Sequence, residues 1–326
     1  MNAPQRNTTG VSVARPLLYL GAAAVIGLAS LLLPRAGVDT ATATAPTTAP
    51  SAAQGAACSD VRESLRPEGP LPGPGAMPAG STMAKIAARG RLIAGVDQGK
   101  YLVGYRNPTT GQLEGSDIDI VRQIAQAIFG DPNRVQYVVL DIADRQGSLD
   151  RGQVDLVVNS FSVTCDRQRT VEFSTAYMEA TARVLVPVNS GVREVEDLAG
   201  KRVCTSAGST TERMLRALPA HLDVYTLPGI PDCMVDLQHG RAASVSSDDV
   251  LLAGLAAQDP ATHVVGRSLL LSYYAVGMRR DAPDLVRFVN GVLERARSDG
   301  SLAASDARWL GRLNPVPRPA PAVYRD

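Results

Sequence analysis

The sequence predicts an α/β fold built on parallel sheets, and three observations carry that expectation. Between Arg91 and Val158, short apolar runs of strand length alternate with segments of helical periodicity. Such an order implies a parallel sheet with right-handed crossovers. Alanine and valine dominate the apolar residues, which suits close packing of helices on a sheet. The chain has 326 residues, enough for one large or two medium domains with a real core.

Composition narrows the function. The net charge of +1 leaves no electrostatic footprint for nucleic acid. Aromatics make up 4% of the chain and Trp309 is its single tryptophan, which argues against stacking platforms for sugars or bases. Cys58, Cys165, Cys204 and Cys233 are spaced too widely for a metal or redox motif, and no G-x-S-x-G or P-loop is present. His221, His239 and His263 sit in stretches that read as solvent-facing. No cofactor and no metal is expected, and the chain reads as a binder instead of an enzyme.

Taken in order, residues 1–35 form an export signal or membrane anchor. Leu17 to Leu33, LLYLGAAAVIGLASLLL, is apolar and uncharged, slightly short for a span and rather long for a cleaved signal. Either reading sends the following chain across the membrane. Ala41-Thr42-Ala43 offers a cleavage pattern, and a lipid on Cys58 is a third alternative, although that residue lies well beyond the apolar run. Residues 36–80, rich in Ala, Thr, Pro and Gly, read as a tether, whose second half packs on the folded part if Cys58 is bridged. An even cysteine count in an exported chain favours two disulfides. Cys204 and Cys233 are the nearest pair, closing a loop of roughly 30 residues worth ~3–4 kcal/mol; Cys58 with Cys165 is what remains.

The folded part begins near Ser81, with a short helix to Arg89 and a first strand over Arg91–Val96. Asp97 follows at the carboxyl end of that strand, where open α/β sheets collect ligands. Ser116 or Asp117 caps a helix whose Ile118, Val121, Ile124, Ala125 and Ile128 recur at helical spacing, and Gly130-Asp131-Pro132 stops it. Asp117 and Asp119 read as helix N-terminal charge. A strand over 135–140, a helix over 144–151 and a strand over 154–158 continue the alternation. Later come a strand at 181–188, a short strand at 203–205, and a helix that Ser209 and Glu212 open as a capping box. A helix over 232–238, strands over 242–246 and 272–278, and a helix over 284–300 follow, and Trp309-Leu310-Gly311 ends the fold.

The stretch SFSVTCDRQRTVEFSTAY, Ser160 to Tyr177, leaves the strand Val154–Val158 with small hydroxyl residues and one basic side chain, Arg167. A guanidinium offers a planar, bidentate fork to a carboxylate, and hydroxyls accept from an ammonium. Alone, the run also fits a surface loop with an exposed arginine. Its order resembles the signature of the extracellular solute-binding proteins for amino acids, the periplasmic binding protein family with two lobes and a hinge. Gly115-Ser116-Asp117-Ile118-Asp119-Ile120 is similar to that family's Gly-Phe-Asp-Val-Asp-Leu helix start, with Ser116 in place of the aromatic. Leu149 to Asp155 and Val195 to Lys201 resemble two of its turns, so the likeness covers roughly 85–312.

The resemblance implies a type II periplasmic-binding-protein fold, with two parallel-sheet lobes joined by a two-strand hinge. Lobe one would span 81–184 and 275–312, lobe two 185–274, with a loose tail over 313–326. It implies a site for a free amino acid between the lobes. Arg167 would clamp the α-carboxylate with the Thr210 backbone amide. Asp248 would pair with the α-ammonium, completed by the Ser162 hydroxyl and the Ser160 carbonyl, with Asp249 as the helix cap. Arg145 matches the place where glutamate/aspartate binders present an arginine, though a solvated helix residue fits it equally. Asp97 suits glutamine or asparagine binders instead, and Tyr101 is the one plausible aromatic platform. The resemblance further implies a monomer on the outer face of the cytoplasmic membrane. Its partner would be an ABC transporter permease or, alternatively, a membrane signalling protein that the chain serves as an amino-acid sensor; a dehydratase on the same fold is the less favoured alternative.

Overall fold

The computed structural model describes residues 60–313 and 319–325. Leu17–Leu33 and Cys58 lie outside the described residues, and among these no helix is long and apolar enough to cross a membrane. The described chain opens with β1 (Glu63–Leu65) and α1 (Thr82–Arg89), whose N-cap Ser81 accepts from the Ala84 amide at 3.1 Å. β2 (Leu92–Val96) enters the core. A small sheet of β3 (Gly99–Lys100), β4 (Gly104–Arg106) and β5 (Leu113–Glu114) then leads into α2 (Ser116–Phe129). The expected apolar stripe of α2 is buried, but neither Ser116 nor Asp117 caps it. Gly115 takes the N-cap position at φ 127°, where a Cβ would stand 2.2 Å from the Val103 carbonyl, so only glycine fits.

β6 (Val135–Val139), α3 (Arg145–Asp150), β7 (Leu156–Val157), α4 (Cys165–Gln168) and β8 (Val171–Phe173) follow in the first lobe. β9 (Met178–Pro187) crosses to the second. It continues with β10 (Arg202–Ser206), α5 (Thr210–Ala217), β11 (Asp223–Leu227), α6 (Ile230–Gln238), β12 (Ser244–Asp248), α7 (Asp249–Gln258) and β13 (Thr262–Tyr274). β14 (Gly277–Arg279) returns to the first lobe, where α8 (Pro283–Ser298) and α9 (Ser301–Leu310) lie, and β15 (Val323–Arg325) closes the described chain.

Among the described residues, the first lobe's sheet has the order β6-β2-β7-β14-β8 and the second's β11-β10-β12-β9-β13. Each has a parallel core, β6-β2-β7 and β11-β10-β12, flanked by antiparallel pairs. The lobes are therefore mixed sheets, where purely parallel ones were expected. The strands that carry the chain between lobes, β9, β13 and β14, run antiparallel to the neighbours they pair with. β9 also pairs in the second sheet from Met178 onward, earlier than the expected boundary at residue 185. The two crossings are laced together. The Tyr177 amide donates to the Tyr274 carbonyl at 2.8 Å, and the Ser174 amide to Val276 at 2.9 Å.

The described parts of the expected tether and of the expected loose tail are ordered. β1 and β15 pair in parallel, Glu63 opposite Val323 through Leu65 opposite Arg325. Asn290 on α8 explains the anchoring. Its buried amide donates to Ser64 Oγ at 2.8 Å and to the Leu65 carbonyl at 2.6 Å, and it accepts from the Thr175 amide at 2.7 Å. Proline-rich composition does not prevent packing once the backbone groups find partners.

Cys204 and Cys233 are bonded, as expected, with Cα atoms 5.4 Å apart, tying β10 to α6. Cys165 is also disulfide-bonded, and Cys58, its expected partner, lies outside the described residues. Replacing both Cys204 and Cys233 by serine should lower the unfolding free energy by about 3 kcal/mol in a urea titration; a loss under about 1 kcal/mol contradicts a constraining role.

Candidate functional site

The loop from Asn159 to Ser162, at the exit of β7, gathers the first lobe's charges. Ser160 has φ 45°, an uncommon conformation for a residue with a Cβ. Asp117 holds it there. Its Oδ2 accepts from the Ser160 amide at 2.7 Å, and its Oδ1 accepts from the Tyr177 hydroxyl at 2.8 Å. The loop then turns its carbonyls toward three cations. Asn159 O accepts from Arg145 Nη1 at 2.9 Å and from Lys100 Nζ at 3.3 Å. Ser160 O accepts from Arg145 Nη1 at 3.3 Å, and Ser162 O from Arg167 Nη1 at 2.7 Å. Both arginines also lie over the Phe161 ring, at 4.3 and 5.2 Å from its centroid.

Arg167 sits on the single turn of α4, which Thr164 caps by accepting the Arg167 amide at 3.2 Å. It is 3% exposed, and burial together with the Arg145 charge pushes it down to about 8. Burial likewise pushes Arg145 down to about 10. Among the described residues, neither has a carboxylate within ion-pair distance. Buried charges are normally paired with opposite charge, whereas these two guanidiniums are met by backbone carbonyls and the Phe161 ring.

The second lobe supplies the opposite charge. Asp248 ends β12 and occupies the N-cap position of α7, yet its side chain caps nothing. Its Oδ2 accepts from the Tyr274 hydroxyl at 2.6 Å, whereas Oδ1 is buried with no partner. Burial pushes its carboxyl up to about 6, which the Tyr274 and Ser272 hydroxyls and the Lys100 charge partly offset. Asp249 reaches back instead to the Thr181 amide and hydroxyl, both at 3.1 Å. Thr205 Oγ1 and Ser206 Oγ, at the end of the neighbouring β10, are also buried without partners. Partnerless buried oxygens are rare, and these three cluster at the carboxyl ends of adjacent strands, where α/β sheets bind ligands. Thr210 opens α5 just beyond, with Ser209 Oγ accepting from the Glu212 amide at 2.9 Å as the capping pattern implies. The Glu212 carboxylate accepts from Gly208 N, one residue before the cap.

The lobes touch around this set. Arg167 Nη2 donates to the Gly208 carbonyl of the second lobe at 3.0 Å. Three glycines make the contact close. A Cβ on Gly208 would stand 3.2 Å from Ala143 Cα, one on Gly99 3.0 Å from Pro231 Cγ, and one on Gly254 2.9 Å from the Tyr101 carbonyl.

Ser160, Ser162, Arg145 and Arg167 thus share one loop cluster, with Asp97 joined to it through Lys100. Arg145 is not the solvated helix residue that the sequence equally allowed; it is 2% exposed and braces the loop. The Tyr101 ring meets Tyr105 in a T-shaped contact, with centroids 5.0 Å apart. Asp117 and Asp119 do more than face a helix dipole: Asp119 accepts from Ser305 Oγ at 2.8 Å and Trp309 Nε1 at 2.7 Å, docking α9. Sequence reasoning missed Lys100, Asn159 and Tyr274. The one available signal was rarity, for the chain otherwise uses lysine only at positions 85 and 201.

Two α/β lobes crossed twice by the chain, with unpaired opposite charges meeting between them, define a solute-binding protein of the two-lobed kind. The chain belongs to the bacterial extracellular solute-binding proteins, family 3, whose model matches residues 92–312. It is similar to the glutamine-binding protein of Geobacillus stearothermophilus, 32% identical over 202 residues that cover 62% of this chain and 77% of that protein. It is also similar to the ABC transporter glutamine-binding protein GlnH of Bacillus subtilis, 28% identical over 230 residues, 70% of this chain and 84% of that one. Among solved structures, the solute receptor for L-cysteine of Neisseria gonorrhoeae shares the fold, with a TM-score of 0.69 at 24% identity over 72% of this chain and 96% of that one.

If the Gly254 contact is part of closure, Gly254→Ala should leave the free protein more open, with a larger radius of gyration in small-angle scattering. Its unfolding free energy should hold or rise by up to about 1 kcal/mol, because alanine favours the helix. An unchanged radius of gyration contradicts that role.

Proposed function

We propose that the chain captures a polar amino acid, glutamine or asparagine or their acidic counterparts, in the cleft between its lobes and delivers it to an ABC transporter. The observation that carries this reading is a pair of unmatched buried charges: Arg167 on one lobe without a carboxylate, and Asp248 on the other with a partnerless Oδ1. An α-amino acid supplies the complement of both. Its carboxylate would take the donors that Arg167 does not spend on the Ser162 and Gly208 carbonyls, with the first amides of α5 beside it. Its ammonium would sit on Asp248 Oδ1. The names of the glutamine-binding relatives support a polar side chain, as do the Arg145 and Asp97 groups nearby. The reading requires no chemistry on the ligand.

Delivery to a permease places the chain outside the cytoplasmic membrane. Residues 17–33 would hold it there as an anchor or export it, and it would act as a monomer. Because Arg167 and Asp248 belong to different lobes, the ligand stabilises the closed form by contacts that an open form lacks.

Arg167→Ala should weaken glutamine binding by at least ~30-fold in calorimetry while the circular-dichroism melt stays cooperative. Retained affinity removes Arg167 from the site. Asp248 adds a pH dependence. In the free protein it is raised to about 6, so it is protonated below that pH and attracts no ammonium. A bound ammonium lowers it, so binding in acid releases a proton. Affinity should be level around pH 7 and fall below about pH 6, approaching tenfold per unit. Flat affinity down to about pH 4.5 contradicts the assignment.

A further inference from the structure

Lys100 is a buried lysine in a cleft otherwise charged by arginine, and its surroundings give it a particular task. Its side chain is 2% exposed. Its Nζ reaches three acceptors: Asp97 Oδ2 at 3.3 Å, the Asn159 carbonyl at 3.3 Å, and Asn159 Oδ1. The ammonium is thus held by two hydrogen bonds to Asn159 and an ion pair with Asp97. Burial pulls the lysine's pKa down and the Asp97 charge pulls it back up.

Asp97 lies at the end of β2, the kind of place where α/β sheets take ligands, and its side chain is 21% exposed. Its Oδ1 accepts from the Gly99 amide at 2.8 Å, which leaves Oδ2 to the lysine. Gly99 in turn abuts Pro231 of the second lobe, so the pair stands where the lobes close. The other charges facing Lys100 are Arg145, which shares the Asn159 carbonyl with it, and Asp117 and Asp248, which act through their fields.

We propose that Lys100 is a specificity-determining residue: a built-in counter-ion that fills the cation place beside Asp97 and so excludes basic amino acids while admitting amide and acidic ones. This rests on the cleft reading given above. A carboxylate at the end of β2 without Lys100 would invite an ammonium or guanidinium from the ligand. With Lys100 in place, an incoming basic side chain meets Lys100 and Arg145 together, and like charges brought close in a closed cleft are strongly disfavoured. A glutamine or glutamate side chain meets no such penalty, because Asp97 is already neutralised.

The test is calorimetric titration of the full chain and of Lys100→Met with glutamine, glutamate and arginine. The wild type should bind glutamine and take arginine at least ~100-fold more weakly. Lys100→Met keeps the stem, frees Asp97, and should gain roughly 10-fold in arginine affinity while losing roughly 10-fold in glutamate relative to glutamine. Asp97→Asn combined with Lys100→Met removes both charges and should lose the arginine gain. Equal losses for all three ligands in Lys100→Met would make the lysine a structural brace and overturn the proposal. Should Lys100→Met fail to fold, Asp97→Asn alone decides: an unopposed lysine should raise glutamate over glutamine by roughly 10-fold, and an unchanged ratio overturns the idea. A wild type that binds none of the three overturns the cleft reading itself, which is distinct from a wild type that binds but whose preference ignores Lys100.

Discussion

The Asp117 carboxylate, buried at the start of α2, sets the geometry on which the cleft depends. Ser160 adopts a backbone conformation that side chains disfavour, and such conformations persist only where surrounding contacts enforce them. Asp117 enforces it through the Ser160 amide, and through the Tyr177 hydroxyl it also grips the first crossing between lobes. With the loop so turned, the carbonyls of Asn159, Ser160 and Ser162 cradle Lys100, Arg145 and Arg167. One carboxylate therefore positions three cations while touching none of the arginines. Burial raises Asp117, and the Lys100 charge and its hydrogen bonds pull it back.

The arrangement leaves the folded protein electrostatically unfinished. Carbonyl dipoles support a guanidinium less fully than a carboxylate does, and a buried carboxylate oxygen with no donor is costly. Arg167 and Asp248 each carry such a deficit, and they lie on opposite lobes. On the proposed reading, closing the lobes on a zwitterion would settle both deficits at once and so couple occupancy to closure. Glycines at 99, 208 and 254 permit the close approach, and backbone hydrogen bonds at Tyr177 and Ser174 lace the two crossings together.

Much of this was legible in the chain, and the illegible part has a common cause. The stripe of Ile118, Val121, Ile124, Ala125 and Ile128, the Ser209 cap, and the pairing of Cys204 with Cys233 are local or nearly local signals, and they could be read directly. The order of strands and helices in the first lobe could be read for the same reason. Lys100 could not, because its burial depends on Asp97 and on Asn159 across the sheet. Asp117 passed for a helix-dipole charge because its partners lie 43 and 60 residues away. The packing of the proline-rich segment was tied to Cys58 alone because Asn290, its anchor, is 225 residues downstream of Leu65. Composition reports the entropy of such a segment but not the contacts that offset it.

The most direct test of the account is a crystal structure of the protein grown with glutamine. It should show the ligand's α-ammonium within hydrogen-bond distance of Asp248 Oδ1 and its α-carboxylate on Arg167, with the lobes closed around it. A ligand bound in the reverse orientation, or seated away from both residues, would contradict the claim that these two unmatched charges are the site.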